Sequence, residues 1–184
     1  MSNRFSILIP IYQERKNIGK LVNQITKYLR GKIFEIIVVD DNSSDGTKDI
    51  LRFIKSKNKR FNYFIRNESK RDLCKSVILG ISKSKYKNII IMDGDLQHNP
   101  KYLPKICKIF SQRKLDFLVC SRNFKERQGL SYIRYYSSIL LILFINLMLG
   151  KKVSDPMSGF FIFKKKFYNL NKKNVYKSGF KILL

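Results

Sequence analysis

Short apolar runs alternate along this chain with segments in which apolar residues recur every three or four positions. The run from Glu35 to Val39 is rich in β-branched residues, which is typical of a buried parallel strand. Ile18, Leu21 and Val22 share one face of a helix, as the period of 3.6 requires. The pattern predicts strands over 5–9, 35–39, 61–65, 88–92, 115–120 and 159–163, and helices that contain 18–29, 50–54, 73–81 and 102–110.

Strands that alternate with helices predict an α/β fold, in which a mostly parallel, Rossmann-like sheet carries helices on both faces. The segment 132–149 has the pattern of one long helix, which we interpret as a buried core helix or, alternatively, as a helix at a membrane surface. The segment 180–184 has the pattern of a helix that is just beginning. No internal repeat is visible, so we expect one domain over residues 1–184, cut short at its C-terminal end.

Composition limits the class of protein but does not choose a function. The chain has 184 residues, of which 44% are hydrophobic, so a packed core is expected and disorder is not. Lys and Arg number 38 against 13 Asp and Glu, which gives a net charge of +25. Such a surface attracts nucleic acid, acidic lipids or phosphorylated substrates, although a genome bias toward lysine explains the charge equally well. No apolar run reaches the roughly 18 residues that cross a bilayer, and no signal-peptide pattern is present, so neither a spanning helix nor secretion is expected.

The thiol and imidazole groups give no sign of a zinc site. Cys74, Cys107 and Cys120 lie far apart and form no Cys-x-x-Cys pair, and His98 is the only histidine. We expect the cysteines to be reduced core residues of a cytosolic protein. His98 follows the acidic loop and could line the site, but we expect it to be a polar surface residue, because the sequence offers it no partner.

Carboxylates follow the predicted strands at the points where those strands end. Asp40 and Asp41 follow the second strand, Asp93 and Asp95 follow the fourth, and Glu14 comes shortly after the first. In an open α/β sheet, ligands bind at the carboxyl ends of the strands. Two carboxylates on either side of one glycine can both reach a divalent ion such as Mg²⁺ or Mn²⁺, with phosphate oxygens and water completing its coordination. The sequence therefore predicts a cation site, and neither a G-x-G-x-x-G nor a P-loop motif competes with it.

Several motifs follow one another along the chain near the ends of the predicted strands. The segments 9–18, Ile-Pro-Ile-Tyr-Gln-Glu-Arg-Lys-Asn-Ile, and 38–47, Val-Val-Asp-Asp-Asn-Ser-Ser-Asp-Gly-Thr, resemble the motifs around the first two strands of family-two glycosyltransferases. The segment 92–100, Met-Asp-Gly-Asp-Leu-Gln-His-Asn-Pro, resembles the D-x-D-L-x-H-x-P motif of polyprenol-phosphate sugar transferases of the dolichol-phosphate mannosyltransferase type. The segments 121–122, 134–138 and 154–160 continue the match, which covers nearly the whole chain.

The resemblance implies an A-type glycosyltransferase fold, a GDP- or UDP-sugar donor and a Mg or Mn cation. The residues implied for the nucleotide are Pro10, Tyr12, Glu14, Val39, Asp41, Asp93, Gly94 and Asp95. Those implied for the metal are Asp93, Asp95 and Gln97, and those implied for an acceptor phosphate are Arg122, Arg134 and Ser138. Asp93, Asp95 and Arg122 are therefore the expected catalytic residues.

The expected reaction is an inverting transfer of a mannose- or glucose-type hexose to a polyprenyl phosphate, dolichyl or undecaprenyl. Such an enzyme would contact the cytoplasmic face of a membrane and would not bind nucleic acid. One alternative is transfer to a glycan or another hydroxyl acceptor, which needs a base, and Asp155 is the candidate for that base. A more distant alternative is a basic, non-catalytic module that binds nucleic acid or membranes.

The chain departs from the family pattern in two places. Asp72-Leu73 stands where the family usually has Gly-Leu, at the start of the third helix, so the approach of a phosphate there is expected to differ. Relatives also continue beyond 179–181 with an acidic residue and a basic loop over the donor phosphates, which this chain lacks. We therefore expect that the chain is a fragment, a truncated gene product or an enzyme completed by another chain.

Overall fold

A computed structural model describes residues 4–120 and 158–171 of the chain. Within these two ranges, six strands form one sheet and five α-helices pack against it. The strands are β1 (Arg4–Ile11), β2 (Ile33–Asp40), β3 (Phe61–Ile65), β4 (Asn88–Ile91), β5 (Phe117–Val119) and β6 (Phe161–Lys164). The helices are α1 (Ile18–Tyr28), α2 (Thr47–Lys57), α3 (Leu73–Lys83), α4 (Leu103–Gln112) and α5 (Lys165–Asn171), with a 3₁₀ turn over Pro100–Tyr102.

The sheet is mostly parallel, as the alternation of strands and helices predicts. Its strand order is β3-β2-β1-β4-β6-β5, and β1 runs parallel to its neighbours β2 and β4 while β2 runs parallel to β3. Strand β6 lies antiparallel between β4 and β5. Apolar periodicity predicts that a strand exists but not its direction or its neighbours, so this insertion was not expected.

Strand β1 continues through Pro10 to Ile11, whereas the sequence predicts its end before that proline. The Leu8 carbonyl accepts a hydrogen bond from Met92 N–H at 3.1 Å, so the polar backbone groups of Leu8, and of Pro10 two residues later, face the side of β4. The last residue pair of β1 with β4 is Leu8 with Ile91, and Pro10 lies beyond it. The N–H group that proline lacks therefore has no ladder partner to lose at this position.

Two apolar clusters, one on each face of the sheet, make up the core. Helices α1, α2 and α4 cover one face with buried residues that include Ile18, Leu51 and Leu103. Helix α3 covers the other face with Val77 and Ile81, and α5 contributes Tyr168 to its edge. The predicted layers of helix, sheet and helix are therefore present, and the carboxyl ends of the parallel strands meet at one edge of the sheet.

The three cysteines are free. Cys74 and Cys107 are buried and Cys120 is half-buried, as expected for core thiols. Burial raises the pKa of Cys107 to about 12 and that of Cys120 to about 11, so both thiols stay protonated at neutral pH.

The helices predicted over 132–149 and 180–184 lie outside the described residues. Among the helices of 4–120 and 158–171, none combines the length and the apolar character that a membrane span requires.

Candidate active site

Asp40 closes the turn that leads from β2 to α2. Its carboxylate accepts hydrogen bonds from Ser43 Oγ and from Ser43 N–H, the latter at 3.2 Å to Oδ2. Ser43 Oγ also accepts the Gln13 N–H at 2.7 Å, which ties this turn to the loop after β1. Burial raises the pKa of Asp40, and the hydrogen bonds from Ser43 oppose that shift. Asp40 therefore holds two site loops together from inside the protein.

Asp41 forms a buried ion pair with Arg66, the residue that directly follows β3. Arg66 Nη1 lies 2.6 Å from Asp41 Oδ1, and the side chains are only 4% and 8% exposed. The other carboxylate oxygen, Oδ2, accepts the Asp72 N–H at 2.7 Å. Arg66 also donates to the Asp72 carbonyl at 2.9 Å and contacts Glu68 at 2.8 Å. A buried ion pair needs such additional hydrogen bonds to offset its desolvation, and this one has several, although the buried Arg66 Nε has no hydrogen-bond partner within the described residues.

The loop between β3 and α3 is fixed by the same cluster. Asp72 caps α3, because its side chain accepts the Lys75 N–H at 2.9 Å. This is the position where the family usually has glycine, and the carboxylate that replaces it here serves the helix. One residue earlier, the Arg71 guanidinium lies 4.3 Å from the centre of the Tyr12 ring. The loop therefore reaches across to the carboxyl end of β1.

Glu14, in the loop after β1, lies near carboxylates from two other loops. Burial raises the pKa of Glu14, and a 2.7 Å hydrogen bond from Asn17 opposes this shift. The negative charges of Asp95, Asp45 and Asp93 raise the pKa further. The same loops are in contact, because the Arg15 N–H donates to Asp45 Oδ2 at 3.2 Å and a methyl group at Gly94 would lie 3.5 Å from Glu14 Cγ. The loops after β1, β2 and β4 thus form one negative cluster at the sheet edge, in a protein whose net charge is +25.

Asp93 and Asp95 lie in the loop directly after β4. Asp95 Oδ1 accepts the Gln97 N–H at 3.0 Å, which stabilises a tight turn. Gly94 between them packs on the end of β1, where a methyl group in place of its hydrogen would lie 2.6 Å from Ile11 Cγ2. Only glycine lets this loop lie so close to β1.

His98 packs inside the site, so its prediction as a surface residue is wrong. The side chain is 12% exposed, and Nε2 lies 3.4 Å from Asp93 Oδ2. The imidazole ring also packs on the Phe160 ring with 5.2 Å between the centres. The partner that the sequence did not reveal comes from the segment before β6, about sixty residues away along the chain.

The donor atoms of this cluster suit a divalent cation that is bound together with a phosphate. Carboxylate oxygens are the ligands that Mg²⁺ and Mn²⁺ prefer, and Asp93 and Asp95 are both partly exposed. No group of three or more His, Cys, Asp or Glu side chains with metal-binding geometry occurs within the ranges 4–120 and 158–171. Phosphate oxygens and water would therefore have to complete the coordination, as the sequence predicts.

The other predicted residues fall into three groups. Pro10 and Val39 are register partners at the ends of β1 and β2, and the buried Val39 side chain packs beneath α3, so Val39 can reach a ligand only through its backbone. Tyr12 is half-buried and Gln97 is exposed, both in loops at the carboxyl edge. The residues that lie outside the described parts of the chain are Arg122, Arg134, Ser138 and Asp155.

Sequence reasoning missed Arg66 and the approach of residues 158–160 to Asp93. Arg66 had a usable signal, since it directly follows the third strand just as Asp41 and Asp93 follow theirs. The segment 158–160 had no such signal, since it precedes its strand, and only the pairing of β6 with β4 brings it to the site.

The mostly parallel sheet and the carboxylates along one edge define an A-type glycosyltransferase fold. Residues 6–170 match the family described as Glycosyl transferase family 2, and the chain belongs to that family. The sequence prediction of a glycosyltransferase is therefore confirmed.

Individual relatives agree with this assignment. The dolichol-phosphate mannosyltransferase of Pyrococcus furiosus is 31% identical over 188 residues, which cover 98% of this chain and 51% of the relative. The dolichol-phosphate mannosyltransferase of Saccharomyces cerevisiae is 30% identical over 193 residues, which cover 100% of this chain and 70% of the relative. The chain thus spans about half the length of the archaeal relative and somewhat more of the yeast one.

A solved structure shows the same fold at lower sequence identity. A mannosyltransferase from Pyrobaculum calidifontis, solved in complex with GDP-Man and Mn²⁺, is similar with a TM-score of 0.65 and 16% identity. The match covers 91% of this chain and 46% of that chain.

Proposed function

We propose that this protein transfers a mannose- or glucose-type hexose from a GDP- or UDP-sugar to a polyprenyl phosphate, with inversion at the anomeric carbon. The observation that carries the proposal is the negative cluster of Glu14, Asp45, Asp93 and Asp95, whose loops meet at the carboxyl edge of the sheet. In so basic a protein, carboxylates held this close favour a role in binding a cation.

The donor nucleotide would lie across the ends of β1 and β2. Tyr12 offers a half-buried aromatic ring for contact with the base. Asp41 can accept a hydrogen bond from an N–H of the base or an O–H of the ribose, and its pairing with Arg66 holds the carboxylate in place. Pro10 and the backbone of Val39 would form the floor, and Gly94 would let the diphosphate approach the loop after β4.

Asp93 and Asp95, with Gln97, would hold a Mg²⁺ or Mn²⁺ ion against the diphosphate. When bound, the ion would neutralise the charge that grows on the departing nucleoside diphosphate. The fold similarity to a mannosyltransferase that was solved with GDP-Man and Mn²⁺ supports this part of the proposal.

The acceptor phosphate would be placed by Arg122, Arg134 and Ser138. One of its oxygens attacks the anomeric carbon while the bond from that carbon to the diphosphate oxygen breaks, so the configuration inverts. A phosphate is already anionic at neutral pH and needs positioning by arginine more than it needs a strong base.

The similarity to two dolichol-phosphate mannosyltransferases supports a polyprenyl phosphate acceptor over other acceptors. We further propose that the transfer takes place at the cytoplasmic face of a membrane, because a polyprenyl phosphate is a membrane lipid.

Metal-dependent nucleotide binding is the first test of the proposal. We expect GDP or UDP to raise the thermal unfolding midpoint only in the presence of Mn²⁺, because a ligand that binds the folded state stabilises it. Asp93→Asn should abolish this shift. Asp49→Asn, which changes an exposed carboxylate on α2, should keep it. A shift that Asp93→Asn leaves unchanged contradicts the proposed cation site.

Transfer itself separates the possible acceptors. We expect label from a GDP- or UDP-hexose to enter the organic phase when dolichyl or undecaprenyl phosphate is supplied. Arg122→Ala should abolish that transfer while nucleotide binding persists. Label that passes only to a free glycan, and that is lost in Asp155→Asn, would instead establish the hydroxyl-acceptor alternative.

A further inference from the structure

Gly159 lies against the carboxylate of Asp93, although 66 residues separate the two along the chain. A methyl group at position 159 would lie 2.6 Å from Asp93 Cγ and 2.7 Å from Oδ1. Non-bonded carbon atoms in proteins pack at roughly 3.5 to 4.0 Å, so no side chain fits there unless something moves.

The backbone around Gly159 is held in place from both sides. The Ser158 hydroxyl donates to the Cys120 carbonyl at 2.6 Å and accepts the Phe160 N–H at 3.2 Å. The Phe160 carbonyl in turn accepts the Cys120 N–H at 2.9 Å, and Phe160 is a buried core residue with 4% of its surface exposed. The segment 158–160 therefore cannot easily retreat from Asp93.

The carboxylate of Asp93 is the group that can yield. It is the end of a rotatable side chain that is 39% exposed, and Oδ2 also lies 3.4 Å from His98 Nε2. The situation at Gly94 is different, because the atom nearest to an added methyl group there belongs to the buried side chain of Ile11, which cannot move freely. A methyl group at Gly94 would disturb the core, whereas a methyl group at Gly159 would turn a carboxylate.

We propose that Gly159 is a positioning residue for the cation site: its missing side chain leaves the space in which the Asp93 carboxylate is held. This inference rests on the proposed function, in which Asp93 is a metal ligand. A ligand that is displaced by more than about 0.5 Å no longer matches the geometry of its site. The glycine at this position thus serves the metal site and is not required for folding.

The test compares the affinity for Mn²⁺ of three proteins, which are wild type, Gly159→Ala and Gly19→Ala. GDP or UDP is present, and the electron paramagnetic resonance signal of free Mn²⁺ gives the bound fraction. Gly19 is the matched control, because a methyl group there would make only an ordinary 3.9 Å contact with Ile50. We expect Gly159→Ala to raise the dissociation constant of Mn²⁺ by roughly 10- to 100-fold, as the loss of an outer support of a metal ligand does. Gly19→Ala should bind like wild type.

A crystal structure of metal-free Gly159→Ala provides a readout that does not involve the metal. We expect the Asp93 carboxylate to be turned away by about 1 Å or more while residues 158–160 stay in place. An unmoved carboxylate beside a shifted backbone would overturn the inference, and so would wild-type affinity for Mn²⁺ in Gly159→Ala.

Two further outcomes are decided by other comparisons. If wild type itself fails to bind Mn²⁺, the proposed cation site is wrong. Equal binding of Mn²⁺ by wild type and Gly159→Ala would instead overturn only the role of Gly159. If Gly159→Ala does not fold, the double variant Asp93→Ala, Gly159→Ala should fold, because the carboxylate that clashes is gone. A double variant that also fails to fold would show that Gly159 serves the fold instead.

Discussion

The carboxylates at the sheet edge belong to the candidate site, and placing them there costs free energy of folding. Asp41 and Arg66 are nearly out of solvent and are joined at 2.6 Å, while Glu14 is crowded by other carboxylates. Burial and the neighbouring carboxylates disfavour the charged form of Glu14 and so raise its pKa. The buried Asp41 carboxylate instead forms an ion pair with Arg66 and accepts a further hydrogen bond from the Asp72 N–H.

The Arg66–Asp41 pair should be costly to break. We expect Arg66→Met to lower the free energy of unfolding by about 3 to 5 kcal/mol, because it leaves the Asp41 carboxylate buried without its partner. Arg52→Met is the control, since Arg52 and Asp49 form an exposed pair with 66% and 76% of their side chains in solvent. That change should cost less than about 1 kcal/mol. Urea denaturation measures both, and equal losses would contradict the assignment.

Glu14→Gln should stabilise the protein at neutral pH. Because the folded protein raises the pKa of Glu14, the ionised form that prevails at high pH opposes folding. The gain from the neutral glutamine should therefore be full above the raised pKa and should vanish as the pH falls to the ordinary value of 4.5 and below. Thermal midpoints of both proteins from pH 4 to pH 8 provide the measurement. A gain that is the same at every pH would mean that the charge is not its cause.

The residues of the site lie at the ends of helices and strands, so these elements determine where the residues meet. The loop from β3 reaches the site because Arg66 directly follows the strand and Asp72 begins α3. Strand β6 brings Gly159 and Phe160 to Asp93 because it pairs antiparallel with β4, so that the start of β6 adjoins the end of β4. The same antiparallel pairing places His98 against Phe160.

Loss of the cap of α3 should weaken that helix by a predictable amount. Asp72→Ala removes the acceptor of the Lys75 N–H, and we expect it to cost about 1 kcal/mol of stability. Asp72→Asn should retain most of the stability, because its amide oxygen can still accept the hydrogen bond. Chemical denaturation distinguishes the two. Equal effects would show that the capping hydrogen bond does not stabilise α3.

The whole molecule carries a net charge of +25, and four of its 13 acidic residues, Glu14, Asp45, Asp93 and Asp95, form the cluster where the ligand would bind. Such an excess of one sign destabilises the compact state through repulsion between surface charges. The apolar layers on both sides of the sheet must outweigh that repulsion. The net charge therefore determines how the whole protein behaves in solution, whereas the local cluster of carboxylates determines which ligand the site can bind.

Salt should consequently stabilise the protein. We expect the thermal midpoint to rise between about 50 mM and 500 mM NaCl, because the Debye length shortens to a few ångströms and repulsion between lysines is screened. Sucrose at the same osmolality is the control for effects that do not involve charge. A midpoint that falls with salt would show that attractive surface ion pairs outweigh the repulsion.

Much of the fold and part of the site were predictable from the chain. Strand β3 has the predicted bounds, Phe61–Ile65, because the charged residues Arg60 and Arg66 directly flank its short run. The grouping of Asp41 and Asp93 also follows from sequence, since parallel strands end at a common edge. The burial of His98 and the role of Arg66 were not predicted, because each depends on a neighbour that is distant along the chain.

The sequence by itself determined the alternation of strands and helices, the family and the edge at which the carboxylates collect. These features depend on periodicity and on motifs that lie within about ten residues. Only the tertiary structure decided that β6 lies between β4 and β5, that Arg66 pairs with Asp41 and that Gly159 lies against Asp93. The physical reason is that contacts between distant segments depend on how the strands are ordered and directed, and local patterns do not encode that order.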